Sequence, residues 1–263
     1  FTATGDEITG RLIKAVQPNT RVIGITWVHS STGLRLPVRK IADAIGEINR
    51  RRKETDHILL VVDGVHGFGA VDESLPDLGC DFFAAGTHKW ILAPRGTGIL
   101  WGRDYAWARI QPTVPSFVAP EPFEAWLKGK ASRGPAQAAW VSPGGFSAYE
   151  HQWAMSDAFR FHDQIGRTRI AKRIAELNGA CKKELVKMPH VKLHTPLDPS
   201  LSAGIICFEV IGLTTEAVVD KLLERNIVSS ASPYAKSYAR LSFGIMNTPE
   251  EVDVTLRAVR DLA

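Results

Sequence analysis

The stretch from Leu59 to Leu100 holds the residues with the most chemical content: LLVVDGVHGFGAV, then CDFFAAGTHKWILAPRGTGIL. An apolar run ends in Asp63, and His66 follows on the turn. Lys89 comes 26 residues after Asp63, behind a second apolar run, in Thr87-His88-Lys89-Trp90, and the Gly-containing turn Arg95-Gly96-Thr97-Gly98 follows. Singly, each is ordinary. An Asp at a strand end is usually a turn or cap residue, a His beside glycine a turn residue, and a lone Lys a solvated charge. Together they bring an amine, a carboxylate and an imidazole to neighbouring strand ends, where ligands collect in open α/β sheets. Pyridoxal 5′-phosphate (PLP) chemistry asks for that set: an amine for the Schiff base and a buried carboxylate on the pyridine nitrogen. It also uses a ring over the cofactor face, with hydroxyls and backbone N–H groups for the phosphate. A nucleotide loop fits less well, because Gly67-Phe68-Gly69 opens no evident helix.

The elements that must position these groups follow from periodicity. Thr4 and Glu7 have capping-box spacing before a helix running to about Val16. Residues 21–28 (RVIGITWV) read as a buried strand, and Pro37 starts a helix with Val38, Ile41, Ala42, Ile45 and Ile48 on one face. Ile58 to Asp63 is a continuous apolar run of the kind buried on both faces of a parallel sheet, and Asp81–Ala85 and Gly98–Trp101 are two further short strands. This alternation predicts an open α/β sheet. Residues 112–145 are rich in Pro, Gly, Ser and Trp and have no clear period, which marks an ordered excursion and a boundary. Residues 147–187 are helical with a break near Gly166. Beyond them come a strand (204–210), a helix (214–224), a strand pair (227–230 and 239–243) and a helix capped by Thr248, Pro249 and Glu251. The expected organisation is a large α/β domain over 1–145 and, over 146–263, linking helices with a smaller α+β domain.

The composition fits a globular chain, with 263 residues, 44% hydrophobic and 23% charged. No run approaches the ~20 apolar residues of a membrane span. The net charge of +4 is mild, and Arg50-Arg51-Arg52-Lys53 sits at a predicted helix end, where cations complement the dipole. Neither a nucleic-acid nor a membrane partner is indicated. Cys80, Cys181 and Cys207 have no CxxC spacing, so buried, reduced thiols in a cytoplasmic protein are expected and no metal site is.

The motifs resemble the class V aminotransferase family of fold-type I PLP enzymes, which includes cysteine desulfurases, isopenicillin N epimerase and related C–S lyases. The resemblance runs over essentially the whole chain. It implies a three-layer αβα large domain, a PLP cofactor and a homodimer. The family's D-x-x-H/Q motif corresponds to Asp63 and His66, giving the pyridine-nitrogen carboxylate and the ring contact. Its H-K motif makes His88, with Thr87, the phosphate ligand and Lys89 the Schiff-base lysine and α-proton shuttle. His29-Ser30-Ser31-Thr32-Gly33-Leu34-Arg35-Leu36-Pro37 is similar to the strand-end S-N-x-T-G segment, and its TGLRLP form is closest to the epimerase branch. Ser30 stands where the family has Asn and is assigned to the cofactor with a shorter reach. Arg240-Leu241-Ser242…Asn247-Thr248-Pro249-Glu250-Glu251 is similar to the R-x-S…N-T-x-E-E signature, so Arg240 is expected to grip the substrate α-carboxylate. Arg35 and Tyr234 are the other expected substrate contacts. Tyr234 or Tyr238 is a candidate proton donor at the second face of the α-carbon.

Departures from the family pattern matter as well. Residues 229–238 contain no Cys, which argues against desulfuration through a persulfide. Gly86 replaces a serine often found shortly before the lysine. The Gly-Thr motif that the family contributes across its dimer appears as Gly144-Gly145-Phe146. Family members are longer at the N-terminus, so the chain is expected to be part of a longer protein. The resemblance implies a PLP enzyme acting at the α-carbon of an amino acid, epimerase-like. The alternatives are a C–S lyase, an aminotransferase, or a degenerate, non-catalytic partner protein of the same fold.

Overall fold

A computed structural model describes residues 3–116, 118–141 and 147–263. The Gly144-Gly145-Phe146 segment lies outside the described residues. The chain opens with α1 (Gly5–Lys14), whose Thr4/Glu7 capping box is complete, then β1 (Val22–Thr26) and α2 (Val38–Asn49). Next come β2 (Leu59–Asp63), α3 (Leu75–Leu78), β3 (Phe82–Gly86), β4 (Gly98–Gly102) and α4 (Asp104–Trp107). The four strands form one sheet in the order β1-β2-β3-β4, parallel except for the β3–β4 pair.

The two faces of this sheet differ. Leu60, Val62 and Phe83 point into a core shared with Ile41 and Ile45 of α2 and with Trp27 and Val28. On the other face, among the described residues, the lower end is covered, where Leu59 and Phe82 meet Ala106 and Trp107. Elsewhere on the strands Val22, Ala84 and Leu100 are exposed. Continuous apolar runs predicted strands buried on both sides. β1, a sheet edge among the described residues, is instead half exposed, with Val22 at 57%.

The stretch without clear period contains two short helices, α5 (Pro120–Leu127) and α6 (Ala138–Val141). The long helical region breaks at Gly166 (φ +96°) into α7 (Tyr149–Ile165) and α8 (Arg167–Leu185). A second, antiparallel sheet follows, in the order β5 (Val191–Leu193), β6 (Ile206–Val210), β8 (Ala239–Leu241), β7 (Ser230–Ala231). It is flanked by α9 (Thr215–Leu223) and by α10 (Pro249–Arg260), which starts in a complete Thr248/Glu251 capping box. β5 has no counterpart in the sequence reading, since three residues are too few to show a period. The second half has a core of its own, drawn from residues between Leu177 and Leu262, while Ile205, Cys207 and Tyr238 of the second sheet region join the core of the first.

Candidate active site

The site forms at the carboxyl ends of β2 and β3. Asp63 closes β2, and its Oδ1 accepts from Val65 N–H at 3.0 Å. The turn beyond is tight because the N–H groups of Gly67 and Phe68 both reach the Gly64 carbonyl at 2.9 Å. Glycine is required there. A β-carbon on Gly64 would stand 1.9 Å from Phe83 Cζ, and one on Gly67 2.3 Å from Trp27. This turn drops His66 into the interior. After β3 a second turn is closed by Ala93 N–H to the Thr87 carbonyl (3.0 Å) and Leu92 N–H to the Lys89 carbonyl (3.2 Å), and Lys89 points back toward the first turn.

There the half-buried Lys89 Nζ meets His66 Nε2 at 3.1 Å. Burial, then the charges of Lys89, Arg240 and His29, push the imidazole down to about 4, so it is neutral near pH 7. When the Lys89 amine is protonated, Nε2 is the acceptor and the ring proton sits on Nδ1. Lys89 is itself lowered, by burial and by Arg240, against the opposing pull of Asp63. Arg240 is held at two points: its Nε donates to Ser230 Oγ at 3.1 Å and its Nη1 to the Ser30 carbonyl at 3.3 Å. The outer edge of its guanidinium fork is left for a carboxylate. Lys89, His66 and Arg240 line one cleft of about 310 Å³, whose apolar wall is Trp90, Leu92, Ile174, Ile245 and Met246.

Ser30 and Tyr234, 204 residues apart, share a 2.7 Å hydrogen bond beside Arg240. The Tyr234 ring stacks on His29 at 5.7 Å between centroids. Tyr238 is buried and stacks on His194 at 3.9 Å, so packing is its role. Several expectations need correction. Asp63 is exposed rather than buried, because it lies on the open face of the sheet. Thr87 is fully buried; Thr97 donates its hydroxyl hydrogen to the Pro94 carbonyl (2.6 Å), so Thr87 donates its own to Thr97 (2.5 Å). It clasps the turn instead of facing the cleft. His88 is exposed at the same strand end. Its ring lies close to Gly86, where a β-carbon would stand 2.9 Å from His88 Cε1. Arg35 pairs with Glu73 and lines a different cleft, with Asp72 and Lys182, so it does not join Lys89.

Sequence reasoning passed over His29, Ser230 and the apolar wall. His29 heads the strand-end segment and carries a signal that could be weighed with it. Leu92, Ile245 and Met246 carry no local signal of their own. The thiols of Cys80, Cys181 and Cys207 are all buried, and burial raises them to about 11, 12 and 12 respectively, so none is a ready nucleophile.

A sequence model of the aminotransferase class V family matches residues 2–255. The chain belongs to that family. Isopenicillin N epimerase of Streptomyces clavuligerus is 31% identical over 260 residues, covering 94% of this chain and 61% of the epimerase. The epimerase of Amycolatopsis lactamdurans is 28% identical over 206 residues, 78% of this chain and 50% of that protein. The chain thus spans about half to three-fifths of these relatives' length. Among solved structures, the cystine C–S lyase C-DES, in complex with its reaction product cysteine persulfide, superposes with a TM-score of 0.80. It is 24% identical, covering 97% of this chain and 64% of the lyase. The architecture is the fold-type I arrangement of α/β layers. No helix among the described residues is long and apolar enough to cross a membrane.

Proposed function

We propose that this chain holds PLP through Lys89 and acts at the α-carbon of an amino acid, as an epimerase-like member of its family. The observation that carries the reading is the 3.1 Å contact between Lys89 and a neutral His66, in one cleft with Arg240 and within the field of Asp63. The donor set fits the cofactor. Lys89 is a half-buried amine with a lowered pKa, able to bond to an aldehyde. Asp63 stands at the strand end to hold a proton on a pyridine nitrogen, and the exposed His88 can meet a phosphate. When bound, PLP supplies an electron sink for charge developing at the α-carbon. The protein's part is to hold and move protons. Lys89 takes and returns the α-proton, His66 stays neutral beside it, and Arg240 orients the substrate by its carboxylate.

Epimerisation is supported by the 31% identity to isopenicillin N epimerase and by Tyr234, a second proton-bearing group beside Arg240. A C–S lyase is the second reading, supported by the backbone match to C-DES. Persulfide chemistry on a protein thiol is disfavoured by the three buried, raised cysteines. The same unpaired thiols support work in the reducing cytoplasm. The proposed assembly is a homodimer, which light scattering measures directly.

The test is an absorption spectrum with PLP supplied, followed by borohydride. A yellow protein bleached by the reductant, with the adduct mapped to Lys89, is expected. A colourless protein points to a non-catalytic scaffold. Assaying L-amino acids for racemised, deaminated and keto products separates the reactions.

A further inference from the structure

Leu92 stands on the lip of the Lys89 cleft in an unusual state. Its φ is +63°, in the left-handed region that glycine and asparagine enter readily and leucine does not. The turn that bonds its N–H to the Lys89 carbonyl holds it there. Leu92 is 38% exposed although it is large and apolar, and Met246, which lines the same cleft, is 74% exposed. Strain of this kind persists where the position of a side chain matters, and the inference runs from the outlier to a role. The rest of the wall agrees. Among the described residues no Asp or Glu lines the cleft, and its two cations, Lys89 and Arg240, are taken by the cofactor and the α-carboxylate in the proposed function. What remains for a side chain is an uncharged surface: the apolar wall, with Ser242, Asn247 and the neutral His66 beside it.

We propose that Leu92, with Met246 and Ile245, forms the side-chain subsite, selecting amino acids whose side chains are uncharged and apolar near the α-carbon. The strained turn aims Leu92 at the substrate. A cationic side chain finds no counter-charge there, and each added methylene gains contact with the wall. This deepens the assignment of Lys89 and Arg240 and rests on it.

The experiment uses the PLP-loaded protein and four probes: L-alanine, L-norvaline, L-norleucine and L-lysine. Affinity is read from the cofactor absorbance at equilibrium, and kcat/KM is measured separately. Affinity should rise about fourfold for each methylene from norvaline onward, the factor for a buried CH2, while L-lysine binds no better than L-alanine. Leu92→Asn keeps a residue that tolerates the left-handed conformation, so its melting temperature should hold or rise while the methylene series flattens. A flat series in the unchanged protein, with the absorbance still responding to each amino acid, overturns the subsite alone. No absorbance response to any amino acid overturns the underlying function, and the subsite with it. If Leu92→Asn instead halves the molar mass by light scattering and leaves the series intact, Leu92 belongs to a contact between copies and the proposal falls.

Discussion

Lys89 Nζ and Nε2 of a buried, neutral His66 are hydrogen-bonded at 3.1 Å, and this contact ties the turn after β2 to the turn after β3. The pairing sets a pH dependence. The His66 value falls from 6.5 to about 4 on folding, so between those pH values the unfolded chain binds more protons than the folded one. Stability therefore drops as pH falls through that window, by up to roughly 3 kcal/mol from this group. His66→Gln should remove that component. Urea midpoints at pH 7, 5.5 and 4.5 should converge in the variant, and equal slopes in both proteins would show that His66 is not responsible.

Arg240→Lys keeps a charge but loses the bond to Ser230 and the planar fork. The KM for an amino-acid substrate should rise about tenfold to a hundredfold, with a smaller loss in kcat, because one good charge-assisted pair is worth roughly 1.5–3 kcal/mol. Steady-state kinetics decides this, and an unchanged KM would remove Arg240 from substrate binding.

Tyr234→Phe deletes the hydroxyl that meets Ser30 and keeps the ring on His29. Since the tyrosine is exposed, stability should change by less than about 1 kcal/mol. If the phenol serves the second face of the α-carbon, racemisation in deuterium oxide should slow about a hundredfold while exchange of the α-proton by Lys89 continues. Tyr238→Phe is the control and should leave both rates alone. Equal rates in the Tyr234 variant would reduce that residue to packing.

Gly64→Ala should destabilise by about 1–3 kcal/mol, since its β-carbon would overlap Phe83, whose ring is fixed in the core. Gly86→Ser should cost much less, because the atom it meets belongs to the exposed His88 ring, which can turn away. Its effect should appear in PLP affinity rather than in melting temperature. Calorimetry with a PLP titration reads both quantities.

Lys182 is buried at 3% exposure, donates to the Pro196 carbonyl at 2.7 Å and to Ser202, and burial lowers it from 10.5 to about 8. Between pH 8 and 10.5 the unfolded chain holds the proton that the folded chain has released. Stability should therefore rise with pH across that window. Lys182→Met should abolish the rise, measured as denaturation midpoints at pH 8 and 10.

Much of the molecule was legible in sequence because the relevant signals are local. The capping boxes at Thr4/Glu7 and Thr248/Glu251 span one helical turn, and apolar runs ending in Asp63 and before Lys89 mark strand ends whatever the rest of the chain does. That was enough for the sheet and for placing His66 and Lys89 at neighbouring strand ends. Which way a side chain faces, and what it meets across the fold, was decided only by tertiary structure. Asp63 is exposed because of the sheet face it lands on, Arg35 went to Glu73, and Thr87 was taken up by Thr97. Ser30 and Tyr234 came together across 204 residues, and the turn after Lys89 put Leu92 into a left-handed conformation. Such pairings depend on chain segments meeting in space, and a one-dimensional pattern of apolar and polar residues holds no record of them.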